Sequence, residues 1–152
     1  MERIDPAKAA AVWQRVHNSP PPVQNEQNLI GLIQEELTDS MIYWHLAKQF
    51  SGSQHALLRQ LHQQKQSHAA CLKGIYALIT GNRPVIRASQ PTSEPAEITL
   101  RRCYGREMRR LAQYEARTTD GEYSKIFAKL AQQAQEHCRL ILELFGSLKE
   151  GK

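Results

Sequence analysis

Gln63-Gln64-Lys65-Gln66-Ser67-His68 is written a second time in the chain, as Gln132-Gln133-Ala134-Gln135-Glu136-His137. A leucine leads each copy, Leu61 or Leu130, and the two histidines are 69 residues apart. A repeat at close to half the chain length proposes two similar halves packed against each other. Upstream of each histidine stands a second matched pair: Tyr43 follows Glu36 by seven positions, and Tyr114 follows Glu107 by seven. Seven residues are almost two helical turns, so each carboxylate shares a helix face with its tyrosine. The repeating unit is therefore expected to be a helix carrying Glu and Tyr followed by a helix carrying His.

Composition agrees with an all-α chain. Ala, Leu, Gln, Glu, Arg and Lys dominate, β-branched runs are short and alternating strand patterns are scarce, which favours helix by propensity alone. A chain of 152 residues is one domain of ordinary size, able to bury about two thirds of the surface its unfolded form exposes. The formal charge of +5 and pI near 9.3 describe a mild basic excess, the usual mark of a solvated surface. The N-terminal residues Met1-Glu2-Arg3-Ile4-Asp5-Pro6 put charges where a signal peptide needs an apolar run, and no segment has the apolar length of a membrane span. A soluble cytoplasmic protein with no membrane partner is expected. Cys71, Cys103 and Cys138 are scattered, with no Cys-x-x-Cys pair; that pattern reads as reduced thiols and excludes a zinc ribbon or a rubredoxin-type iron site.

In chain order, Asp5-Pro6 is a cap followed by a first-turn proline, predicting a short helix to about His17. Ala9, Val12, Trp13 and Val16 share one side of it, and Ser19-Pro20-Pro21-Pro22 ends it in a stiff connector. Residues 1–24 thus form an N-terminal arm and Pro-rich connector, with Trp13 as anchor, and residues 25–148 form a four-helix bundle. The first long helix is expected from about Asn25 to Gln49, with Leu29, Ile33, Glu36, Ser40, Tyr43 and Ala47 on one stripe. The second runs from a Ser53 cap to Thr80, stopped by Gly81, with Leu61, Lys65, His68, Leu72, Ile75 and Ile79 inward. Residues 82–95 hold Pro84, Pro91 and Pro95 without a period, a linker able to span roughly 45 Å and so to cross the whole bundle. The third helix runs from residues 93–95 to about Arg117, with Leu100, Tyr104, Glu107, Leu111 and Tyr114 in register. Thr119-Asp120-Gly121-Glu122 reads as a turn with a capping box. The fourth helix then continues to about Phe145 with Gly146 after it, and Tyr123, Phe127, Leu130, Ala134, His137, Ile141, Leu144 and Leu148 form its inward stripe. Short joins near Gly52 and Gly121 make two antiparallel hairpins, joined by the long crossover.

Glu36, His68, Glu107 and His137 thereby face one interior. This pattern resembles the ferritin-like superfamily, and within it the rubrerythrin-like branch, over roughly residues 25 to 148. Its carriers are Glu36 with Tyr43, the segment ending in His68, Glu107 with Tyr114, and Ala134-Gln135-Glu136-His137-Cys138 leading into Leu140-Ile141-Leu142. The resemblance implies a ferritin-like four-helix bundle whose helices supply carboxylates and two imidazoles to a di-iron or di-manganese centre. Such a centre handles oxygen or peroxide. Glu36, His68, Glu107 and His137 match ligand positions, but the bridging glutamates expected three residues before each histidine are Lys65 and Ala134. The site is degenerate in both halves. On the third helix the ligand position falls on Arg106 or Glu107; Glu107 keeps phase with Leu100, Leu111 and Tyr114.

Two readings follow. In the first, the reduced carboxylate/histidine centre holds iron or another transition metal, since imidazole and carboxylate suit iron, manganese or zinc. It then works as a rubrerythrin-type oxidoreductase with an external electron donor. In the second, the Lys65 ammonium fills the space left by the missing side chain at Ala134, neutralises Glu36 and Glu107, and the bundle acts as a non-catalytic binding or structural partner. Tyr43 and Tyr114 lie beside the centre in either case. Arg101, Arg102, Arg106, Arg109, Arg110 and Arg117 are interrupted by Glu97, Glu107 and Glu115, so the third helix reads as a solvated face and not as a nucleic-acid stripe. His55, His62 and the second-helix glutamines are also placed on solvated faces. Ile30, Leu37, Met41 and Trp44 form a second apolar strip suited to the neighbouring helix or to a partner subunit, as in a homodimer.

Overall fold

The computed structural model describes residues 22–119 and 121–150. Four helices account for most of them: α1 (Pro22–Ala47), α2 (Gly52–Thr80), α3 (Ala96–Glu115) and α4 (Ser124–Glu150). No strand occurs among the described residues, and α1 packs on α2 as α3 packs on α4. No described helix is long and apolar enough to cross a membrane. The expected N-terminal helix with its Trp13 anchor lies outside the described residues, as does Asp120 of the expected capping box.

Helix ends follow local chemistry. Pro22 opens α1, where a missing N–H costs nothing. Ser51 and not Ser53 precedes α2, in extended backbone and without a side-chain cap bond. His55 ties that hairpin instead, its Nδ1 standing 2.6 Å from the Ala47 carbonyl at the end of α1. Gly81 closes α2 in the left-handed region at φ 74°, its N–H donating to Ala77 O, a conformation that glycine adopts without strain. A short 3-10 turn, Gly121–Tyr123, leads into α4. That helix continues beyond Phe145, through Gly146, to Glu150. Mid-helix glycine costs about 1 kcal/mol; against it, Leu148 packs on the core and Ser147 accepts a 2.7 Å hydrogen bond from Gln54 of α2.

Two apolar clusters stand at opposite ends of the bundle. One joins Leu29 and Ile33 at the start of α1 to Leu72 and Ile75 late in α2, Tyr114 late in α3, and Phe127 and Leu130 early in α4. The other joins Tyr43 and Leu46, Leu58 and Leu61, Leu100 and Cys103, and Ile141 and Leu144. The helices therefore alternate up, down, down, up. Residues 81–95 must return along the bundle's length, and they do so beside α1, where Ser89 N donates to Thr38 Oγ1. Between the clusters lies a layer of buried charge.

Candidate functional site

Glu36, Lys65, Glu107 and His137 have no exposed surface, and His68 is 3% exposed. Tyr43 and Tyr114 are equally buried. Helical register puts them there: Glu36 and Tyr43 on α1, Lys65 and His68 on α2, Glu107 and Tyr114 on α3, and His137 on α4 all lie on the stripes that hold the two apolar clusters. Arg106 sits at the rim, 27% exposed, so Glu107 is the inward member of that pair.

Lys65 is the hub. Its Nζ contacts Glu107 Oε1 most closely, lies 3.4 Å from Glu36 Oε1 and 3.7 Å from Asp39 Oδ2. Glu36 Oε1 also accepts from Arg110 Nη1 at 2.7 Å and from the Tyr114 hydroxyl at 3.0 Å, while Glu36 Oε2 accepts from His68 Nδ1 at 3.1 Å. The Tyr43 hydroxyl donates to Glu107 Oε1 at 3.4 Å. Ala134, at the position of the second half equivalent to Lys65, is fully buried.

The two halves are clasped crosswise. Tyr114 of the second hairpin serves Glu36 of the first, and Tyr43 serves Glu107. His68 Nε2 meets the Gln133 amide at 2.5 Å, and His137 Nε2 meets the Gln64 amide at 2.5 Å. The two imidazoles stack, centroids 5.3 Å apart. Gln64 thus leaves the solvated face expected of it and, with Gln133, closes the seam between α2 and α4. His62 is also turned inward enough for its Nδ1 to donate to Ser40 O at 2.8 Å.

Arg110 is the largest departure from expectation. The arginine read as part of a solvated face is 1% exposed and grips Glu35 (2.7 Å), Glu36 (2.7 Å) and Asp39 (3.4 Å) across the seam between α1 and α3. Asp39 is equally buried and takes Arg106 Nε at 2.6 Å. Both residues were findable: Asp39 is three positions after Glu36 and Arg110 three after Glu107, a spacing that shares a helix face. Buried acids Glu36, Asp39 and Glu107 are thereby matched by Lys65, Arg110 and the rim residue Arg106.

Burial works against every charge in this layer, and the partners decide the outcome. It would raise the Glu36 carboxyl, but Lys65, His68 and Arg110 hold it well below the usual carboxylate range. Glu107 is lowered in the same way, mainly by Lys65. For Asp39 burial wins over its cations and raises the carboxyl. Burial would lower Lys65, yet Glu36, Glu107 and Asp39 together push it up to about 12. Burial lowers the His137 imidazole against the pull of Glu107. Both tyrosines are raised, first by burial, so they remain hydroxyl donors. Cys103 is pushed up to about 12 by burial and by Asp39, and with Cys71 and Cys138 it is a free thiol.

Asp39 Oδ2, Glu107 Oε2, Arg110 Nε and His137 Nδ1 are buried without a hydrogen-bond partner among the described residues. Glu107 Oε2 and His137 Nδ1 face each other at 3.6 Å. No three His, Cys, Asp or Glu side chains among the described residues are grouped so as to hold a metal ion. Comparison with protein-family models, with curated proteins and with solved structures found no match.

Proposed function

We propose that the chain is a ferritin-like bundle of rubrerythrin-like descent in which an ammonium has replaced the metal, and that it works by associating with another protein. The position of Lys65 Nζ between the Glu36 and Glu107 carboxylates carries this reading. A divalent ion bound by Glu36, His68, Glu107 and His137 would need those carboxylates to release both Lys65 and Arg110. It would also sit beside an ammonium in a low-dielectric interior, where like charges repel strongly. The donor set therefore does not fit a resident di-iron centre. What the carboxylates and imidazoles do instead is hold the two hairpins together.

Buried ion pairs offset their own desolvation only when well arranged, and in some proteins their use is to specify one packing. The crosswise tyrosine and glutamine contacts fit that role, since each requires the opposite hairpin in one register. The test is elemental analysis of untagged protein grown with ample iron, manganese and zinc. Metal far below one ion per chain is the expected result. Close to one iron, manganese or zinc per chain would restore the redox reading, with its need for an external electron donor.

A further inference from the structure

Between Asp39 and Glu94 the chain contains no acidic residue, while Lys48, Arg59, Lys65, Lys73, Arg83 and Arg87 all fall in that interval. Asp39 is buried and turned toward Arg106 and Arg110; Lys65 is spent inside. Of the other five, Lys48, Arg59, Arg83 and Arg87 are exposed and Lys73 is half-buried; they follow α1, lie on α2 or lie in the crossover. The surface ion pairs of the described residues lie elsewhere, among Glu94, Glu97, Arg101 and Arg102 and among Glu136, Arg139 and Glu143.

The same elements form an open apolar groove of about 300 Å³, lined by Leu37, Met41, Trp44, His62, Gln66 and Ala88. Trp44 is 38% exposed. Lys48 Nζ lies 5.5 Å and Arg59 Cζ 5.2 Å from its ring centre, and the His62 ring packs against it at 5.1 Å. A half-exposed tryptophan carrying two cations is the composition of an interface anchor.

We infer that this groove binds an acidic, leucine-bearing protein segment, whose carboxylates pair with Lys48 and Arg59 while an apolar side chain enters beside Trp44. The inference rests on the association reading above and names the partner's chemistry. Complementary charge favours that occupant over the others. A symmetric dimer would set this surface against its own copy, and among the described residues no carboxylate lines the groove to meet Lys48 or Arg59. The cations that cover the Trp44 ring occupy the surface on which a nucleic-acid base would stack.

The full chain is titrated with a labelled helix-forming peptide of glutamate and alanine carrying two leucines one turn apart. The same peptide with lysine for glutamate, a single-stranded RNA oligonucleotide and phosphatidylserine vesicles are run beside it, together with sedimentation of the protein alone. The expected result is saturable binding of the acidic peptide only, weakened about tenfold or more by W44A and by the surface pair K48E/R59E. Unchanged binding in K48E/R59E, equal binding of the lysine peptide, or tighter binding of RNA or vesicles would overturn the inference. So would dimerisation of the free chain that W44A abolishes. Metal content of the same preparation separates the two failures: metal-poor protein that ignores the peptide refutes the groove assignment alone, whereas metal-loaded protein refutes the reading beneath it.

Discussion

Arg110 Nη2 lies 3.4 Å from Asp39 Oδ2, and the two residues are 71 positions apart, the interval that also separates Glu36 from Glu107 and Tyr43 from Tyr114. They are therefore equivalent positions of the two halves, carrying opposite charge and meeting at the centre. Lys65 and Ala134, separated by the 69 residues that separate His68 from His137, are the second such mismatch. The halves agree where side chains build the bundle and differ where its central charge is set. Each mismatch puts a cation against the buried carboxylate layer.

Removing the Lys65 charge takes from Glu107 its closest cation and leaves Glu36 with Arg110 alone. Lys65→Met, close in length and apolar, is expected to cost about 3–5 kcal/mol of unfolding free energy, the range for breaking a buried ion pair from one side. Adding Glu107→Gln should recover part of that loss. A double-mutant cycle in urea at neutral pH reads the coupling directly; a Lys65→Met loss no larger than that of an ordinary surface substitution would show that the ammonium does not serve these carboxylates.

Acid should unfold the bundle in two steps. His137 is lowered in the folded state, so its contribution is present above the unfolded value near 6.5 and is lost as pH falls through the folded value. Glu36 and Glu107 are lowered too, so theirs is present above about 4.3 and is lost as they protonate in the folded chain. Asp39 is raised and acts in the opposite sense, softening the second step. Thermal melts from pH 8 to pH 3 are expected to decline below neutrality and again below the carboxylate range. In His137→Gln the first decline should shrink; if it is unchanged, another group is responsible.

Gln64 and Gln133 make matching contacts to His137 and His68, each at 2.5 Å. Gln64→Ala and Gln133→Ala are expected to destabilise to a similar degree, about 1–3 kcal/mol each, because each leaves a buried imidazole nitrogen without its amide. Chemical denaturation of both variants measures this. A large loss in one and none in the other would contradict the crosswise clasp.

The helical periodicity made Glu36, Lys65, His68, Glu107 and His137 legible as inward residues, because each sits in a stripe of leucines and isoleucines. Arg110 was hidden by its neighbours: in a helix with arginine at positions 101, 102, 106, 109 and 110, composition says surface, against which stand its place three residues after Glu107 and its equivalence with Asp39. Gln64 and Gln133 were in plain view within the repeat, but their pairing across the α2–α4 seam depends on how closely those helices approach, which no single helix encodes. The end of α4 was misplaced because Gly146 looks like a stop; Leu148, packed on the core beyond it, keeps the helix going.

The protonation of Lys65 itself bears most directly on the central claim. In protein labelled with ¹³C at lysine Cε, the resonance that disappears in Lys65→Arg belongs to Lys65, and its shift can be followed with rising pH. An ammonium held between Glu36 and Glu107 should stay charged past the other lysines and titrate near 12. Titration at or below the ordinary lysine value of about 10.4 would mean that the carboxylates do not hold it, and the ammonium could not stand in for a metal.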